Sequence, residues 1–123
     1  MTDVRPLPRY RIVVATHKRP DDLARLLDAL GPQLDRHPDM RLVVVNDASH
    51  SEAYQHVIDG FGRYIDYRVL AENSGPGAAR HHAIADATEE YLVLTDDDCI
   101  PEPTWLDWGN AHVAGYPEVA LFA

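Results

Sequence analysis

"YLVLTDDDCIP", residues 91–101, decides how the chain is read. Tyr91 to Leu94 is an apolar, strand-forming run that leads straight into Asp96, Asp97 and Asp98. Three adjacent carboxylates repel one another, so their place at the end of a buried strand needs a reason. In an extended chain alternate side chains point the same way, which would aim Asp96 and Asp98 at one spot. A hard divalent cation, Mg²⁺ or Mn²⁺, turns that repulsion into a ligand pair and leaves positions open for phosphate oxygens. A solvated acidic turn is the plain alternative. The buried strand in front of the aspartates favours metal or phosphate chemistry.

The same grammar recurs upstream. "YRIVVA" (10–15), "RLVVVND" (41–47) and "IDYRVLA" (65–71) read as strands, and each runs into polar or glycine-rich residues. Between them lie helical patterns. In 21–32, Leu23, Leu26, Leu27 and Leu30 share a face, with an Asp as the start signal and Gly31-Pro32 as the stop. In 51–62 the apolar face is Ala53, Val57, Ile58 and Phe61. Residues 78–88 form a third helix with Pro76 near its start, 103–114 a fourth, and "EVALFA" (118–123) opens a fifth strand. Apolar strands without period-2 alternation, each separated by a helix, imply an α/β fold: a mostly parallel sheet flanked by helices on both faces. Such sheets bind ligands outside the carboxyl ends of their strands, where "THKR", "NDAS", "ENSGPG" and "TDDD" all fall.

The length of 123 residues fits one domain at 10–123 behind an irregular lead-in at 1–9. A net charge of −9 argues against nucleic acid as a partner. The single cysteine, Cys99, excludes an internal disulfide framework. "MTDVRPLPRYR" lacks the apolar core of a signal peptide, and no run reaches membrane-span length. A cytoplasmic protein is expected, with any membrane contact made through a partner.

Individual residues carry alternatives. Asp47 ends a strand where nucleotide-binding sheets often place an acid against the nucleoside; it could equally close an Asx-turn with Ser49. In "NSGPGAAR", Gly75 and Gly77 allow close backbone approach, and the following helix start favours an anion. Arg80, one turn into that helix, is placed to meet a phosphate or to form a surface ion pair. The seven histidines have no metal-ligand spacing, and no nucleophile elbow is present. Trp105 and Trp108 read as packing residues. A sugar nucleotidyltransferase would need a glycine-rich loop after the first strand, and "ATHKRP" has no glycine.

"VVATHKRPDDLARLLDAL", "LVVVNDAS", "ENSGPGAARHHAI" and "YLVLTDDDCIP" together resemble family 2 glycosyltransferases of the GT-A fold, over residues 10 to 123. The resemblance implies metal-dependent transfer of a sugar from a UDP- or GDP-sugar to an acceptor hydroxyl, with inversion. It implies that Thr16 and the turn through Arg19 line the nucleoside pocket, and that Asp47 contacts the base or ribose. It gives Asn73, Gly75 and Arg80 to the nucleotide and diphosphate. Asp96 and Asp98 match the DxD pair that holds Mn²⁺ or Mg²⁺, with Asp96 and Asp97 also near the nucleotide sugar. His81 stands where the family often has Asn. The family's acceptor-binding half and catalytic base are expected beyond residue 123. The alternative is a nucleotide-sugar binding module that transfers nothing. The apolar "VALFA" strand edge suggests a homodimer or a partner chain.

Overall fold

The computed structural model describes residues 9–49, 52–115 and 121–122. Strands β1 (Tyr10–Thr16), β2 (Met40–Asn46), β3 (Asp66–Val69), β4 (Tyr91–Asp96) and β5 (Leu121–Phe122) alternate with helices α1 (Pro20–Asp35), α2 (Glu52–Gly60), α3 (Pro76–Ile84) and α4 (Trp105–Gly115). The sheet order is β3-β2-β1-β4-β5, and every pairing is parallel. The expected architecture is therefore the observed one. The lead-in at 1–8 and most of "EVALFA" lie outside the described residues.

Period-2 geometry sends alternate residues of each strand to opposite faces, and both faces are covered. Tyr10, Ile12 and Val14 of β1 join Leu42 and Val44 of β2 under α1, α2 and α4, with Leu23, Leu26, Leu27, Leu30, Tyr54 and Leu106. Val13, Val43 and Val45 face the other way, against Ala79 and Ala83 of α3. Small alanines let α3 lie close to the sheet. The chain grows outward from β1 to β3, then returns to the far side of β1 for β4. That reversal leaves a crevice beyond the carboxyl ends of β1 and β4, where open α/β sheets take their ligands.

Several element limits differ from the sequence reading. Helix α1 runs through Gly31-Pro32 to Asp35. Its continuation is held by Gln33, whose Oε1 accepts from the Leu106 amide at 2.9 Å and whose Nε2 donates to the Glu102 carbonyl at 2.8 Å. A Cβ at Gly31 would come within 2.6 Å of the Arg63 guanidinium, the movable end of a partly exposed side chain. The aspartates at the start of α1 make no capping hydrogen bond, although Asp21 and Asp22 in the first turn suit the helix dipole. On α2 the buried residue is Tyr54, while Ala53 is exposed. Helix α3 begins at Pro76 and stops at Ile84, and β3 spans only four residues. Trp105 packs against the core as expected, but Trp108 is exposed and stacks on His112.

Arg11 is the unusual residue of β1, a cation on the α3 face with only 2% of its surface exposed. It bonds Glu89 at 2.6 Å, Asp86 at 2.8 Å and the Ala83 carbonyl at 2.8 Å. Arg68 of β3 continues the network to Asp66 at 2.9 Å and Asp86 at 3.0 Å. Replacing Arg11 by Met strands the buried Glu89 carboxylate and should cost about 3–5 kcal/mol. Urea unfolding should register that loss, with the Arg11→Met/Glu89→Leu double variant recovering much of it; a single-variant loss below about 1 kcal/mol would refute the pairing argument.

The Arg68 and Arg11 guanidiniums hold the Asp86 carboxyl down at about 2, from an ordinary 3.8. A depressed carboxyl stabilises the fold above its unfolded value and loses that contribution as pH falls through the folded one. The urea midpoint should thus drop between pH about 4 and about 2, and Asp86→Asn should drop less over the same window.

Candidate functional site

Four strand-end segments enclose a cleft of about 550 Å³. Nine residues singled out from the sequence line it, Thr16, Arg19, Asp47, Asn73, Gly75, Arg80, Asp96, Asp97 and Asp98, while Gly77 does not. Ala15, His17 and Pro76 complete the lining. Parallel pairing explains the convergence, since Ala15 is opposite Asp96 and Thr16 is opposite Asn46. Residues about 80 apart in sequence thereby share one rim.

The aspartates do not remain extended. Strand β4 ends at Asp96, and the chain turns through Asp97 and Asp98, closed by the Cys99 amide donating to the Asp96 carbonyl at 3.3 Å. The turn buries Asp97 to 5% exposure and leaves Asp96 and Asp98 exposed. Ligand atoms of Asp96, Asp98 and Cys99 still come within 4.8 Å of one another. The outer carboxylates therefore converge as the sequence suggested, through a turn rather than through strand alternation.

Each carboxylate has a compensating partner. Asp96 pairs with Arg80. Arg19 reaches Asp97 at 3.4 Å and Asp98 at 3.3 Å. Asp97 also accepts from the Thr16 hydroxyl at 2.9 Å. Burial pushes the Asp97 carboxyl above the ordinary carboxylate range, while Thr16 and Arg19 pull it back. The Tyr54 hydroxyl stands 2.7 Å from Thr16 Oγ1 and accepts from the Arg19 amide at 2.8 Å.

Asp47 is 3% exposed, borders the cleft and does not close an Asx-turn with Ser49. Its two carboxylate oxygens accept from the Ser74 and Gly75 amides, each at 2.8 Å. The Ser49 amide donates instead to Asn46 Oδ1 at 2.9 Å. Asp47 thus ties the end of β2 to the loop that opens α3. Gly75 sits at φ 89°, a conformation that side chains rarely adopt, immediately before Pro76 in the helix's first turn.

The turn after β1 is clamped to the same region. Lys18 at φ 54° and Ala48 at φ 62° both hold left-handed backbone. The Lys18 amide donates to Ser49 Oγ at 2.8 Å. His17 Nδ1 lies 2.6 Å from the Asp47 carbonyl, which can only accept, so this nitrogen carries a proton. Sequence reasoning missed Tyr54, which lies in no motif. His17 and Ser49 fall within "THKR" and "NDAS", but their partners are distant in sequence, and only the folded register exposes the contacts.

The donor set can be tested against a divalent cation. Two exposed carboxylates at one spot offer the oxygen ligands that Mg²⁺ and Mn²⁺ prefer. Cys99, the third member, is softer and better suited to other ions. Among the described residues no other three-residue grouping of this kind occurs. The residues therefore fit a hard cation held by Asp96 and Asp98.

Replacing Asp47 by Asn puts an amide NH₂ against one of two backbone donors. Hydrogen exchange at Ser74 and Gly75 should accelerate about tenfold or more, from the worth of a charged hydrogen bond. The Leu70 amide, bonded to the Asn46 carbonyl at 2.9 Å, serves as the unaffected control. Equal rates in both proteins would show that Asp47 does not hold the loop.

The family model of glycosyl transferase family 2 matches residues 11–107. Galactofuranosyltransferase GlfT1 of Mycobacterium tuberculosis is 36% identical over 90 residues, 70% of this chain and 29% of that protein. Staphylococcus aureus TarS 1–349 in complex with UDP superposes with a TM-score of 0.77 at 24% identity, covering 89% of this chain and 33% of that one. Mannosyltransferase PcManGT of Pyrobaculum calidifontis, in complex with GDP-Man and Mn²⁺, gives 0.75 at 23% identity, again over 89% and 33%. At these identities the superpositions speak to the fold. The chain spans 18% to 29% of the length of the curated relatives it matches.

Proposed function

This chain belongs to glycosyl transferase family 2, and from that premise we propose that its cleft is a donor site for a UDP- or GDP-sugar with a divalent cation. The reaction it serves is inverting transfer of the sugar to an acceptor hydroxyl. The observation that carries this reading is the convergence of three carboxylates and two guanidiniums on one cleft at the carboxyl ends of β1 and β4.

Each residue has a physical task. Asp96 and Asp98 present the oxygens that would hold Mn²⁺ or Mg²⁺. That ion, when bound, supplies Lewis-acid neutralisation of charge on the departing diphosphate. Arg80, in α3, and the free amides of that helix's first turn offer positive potential to phosphate oxygens. Gly75 and Gly77 leave the approach open, since a Cβ at either would meet nothing within 4 Å. Thr16, His17, Arg19 and Asn73 line the remaining wall, where a nucleoside would lie. Asp47 keeps the loop of Asn73 and Gly75 in place from beneath, and its buried carboxylate borders the cleft.

The solved neighbours support the ligand class: one was crystallised with UDP and another with GDP-Man and Mn²⁺. Calorimetric titration of UDP and of GDP, each with and without Mn²⁺, tests the reading. One nucleotide should bind more tightly with the metal present, and Asp98→Ala should lose about tenfold or more of that gain. Failure of the folded wild-type protein to bind either nucleotide would overturn the assignment.

A further inference from the structure

Donor binding accounts for the aspartates and arginines of the cleft but not for the hydroxyl of Tyr54. This residue belongs to α2, a helix that contributes nothing to the cleft lining. Its ring is buried in the larger core cluster, at 1% exposure. Its oxygen emerges between two segments of the β1–α1 turn, accepting from the Arg19 amide at 2.8 Å and meeting Thr16 Oγ1 at 2.7 Å.

Counting protons fixes the direction of this chain. The Arg19 amide can only donate, and an ionised Asp97 can only accept. The Thr16 proton therefore goes to Asp97, 2.9 Å away, and the Tyr54 proton must go to Thr16. The order is amide to phenol to hydroxyl to carboxylate, with each bond polarising the next. Tyr54, Thr16 and Asp97 are buried, so a lost link among them leaves a polar group without water to replace it.

We propose that Tyr54 is a positioning residue of the donor site, acting on both charges at the heart of the acidic turn. Through Thr16 it holds Asp97, the middle of the three aspartates. Through the Arg19 amide it sets the backbone from which the guanidinium reaches Asp97 and Asp98. Asp97 is the buried member, so where it is pinned decides where the exposed Asp96 and Asp98 carboxylates stand. This inference rests on the donor-site reading for its functional consequence, though not for its geometry.

Tyr54→Phe keeps the ring and removes only the hydroxyl. In ligand-free protein, the amide resonances of Arg19, Asp97 and Asp98 should shift, while those of Ser74 and Gly75, held by Asp47, should stay. Unmoved resonances at Arg19, Asp97 and Asp98 would overturn the proposal without reference to any nucleotide. The second measurement compares nucleoside monophosphate without metal against nucleoside diphosphate with Mn²⁺, using the base that wild type binds. Tyr54→Phe should weaken the diphosphate about tenfold and the monophosphate less than about twofold, the loss expected of one buried hydrogen bond to a charged system. Thr16→Val, which removes the hydroxyl between Tyr54 and Asp97, should shift the Asp97 and Asp98 resonances in ligand-free protein as Tyr54→Phe does. Equal weakening of both nucleotides would mean general loosening of the core and would overturn the positioning role. If wild type binds neither nucleotide, the donor-site reading falls, and the resonance shifts alone decide whether the hydroxyl holds the turn.

Discussion

A carboxylate removed from water must be compensated, and Asp97 is a carboxylate at 5% exposure between two others. The arrangement around the cleft follows from meeting that requirement. Thr16 and Arg19 can reach Asp97 only because β1 lies beside β4, in the register that sets Ala15 opposite Asp96. Tyr54 can support Thr16 only because α2 packs on the same face of the sheet as α1. With the middle aspartate satisfied by protein groups, the outer two are left to face the cleft. The turn thus separates one buried carboxylate from two exposed ones, which pair with Arg80 and Arg19 at the cleft.

The loops of the cleft are bound to one another as well as to their own strands. Asp47 reaches across to the Ser74 and Gly75 amides, and Ser49 reaches across to the Lys18 amide. These cross-ties stabilise two non-glycine residues in left-handed backbone, Lys18 and Ala48, a conformation that costs energy and persists only when its surroundings enforce it. The result is a preorganised site. Binding a ligand there requires little further ordering of backbone, which is the usual cost that limits affinity for flexible loops.

Charge is also partitioned in space. The chain carries a net −9, yet its arginines are concentrated where acids gather. Arg11 and Arg68 neutralise Asp66, Asp86 and Glu89 on the α3 side of the sheet, a network that joins strand to helix and does not reach the cleft lining. Arg19 and Arg80 neutralise the acidic turn on the ligand side. Arg19 and Arg80 are the arginines that line the cleft, and both stand against the carboxylates of the acidic turn.

Much of this was legible in the residues themselves. Apolar runs without alternation, each followed by a helical pattern, determined a parallel sheet covered on both faces, because a strand buried on two sides has no polar face to show. The nine residues assigned from the strand-end segments and the family resemblance are among the twelve that line the cleft, because parallel sheets present every carboxyl end on the same edge. Local signals failed where distant contacts outweighed them. Gly31-Pro32 reads as a stop, yet Gln33 carries α1 onward by bonding Glu102 before α4 and Leu106 in its first turn. Asp47 offers the pattern of an Asx-turn with Ser49, and only the folded loop shows it holding two amides of the residues that precede α3. Tyr54 reads as one more residue of an amphipathic helix. Its hydroxyl acquires a purpose only when α2, the β1 turn and the acidic turn come together, since a hydrogen bond depends on distances that no sequence spacing specifies.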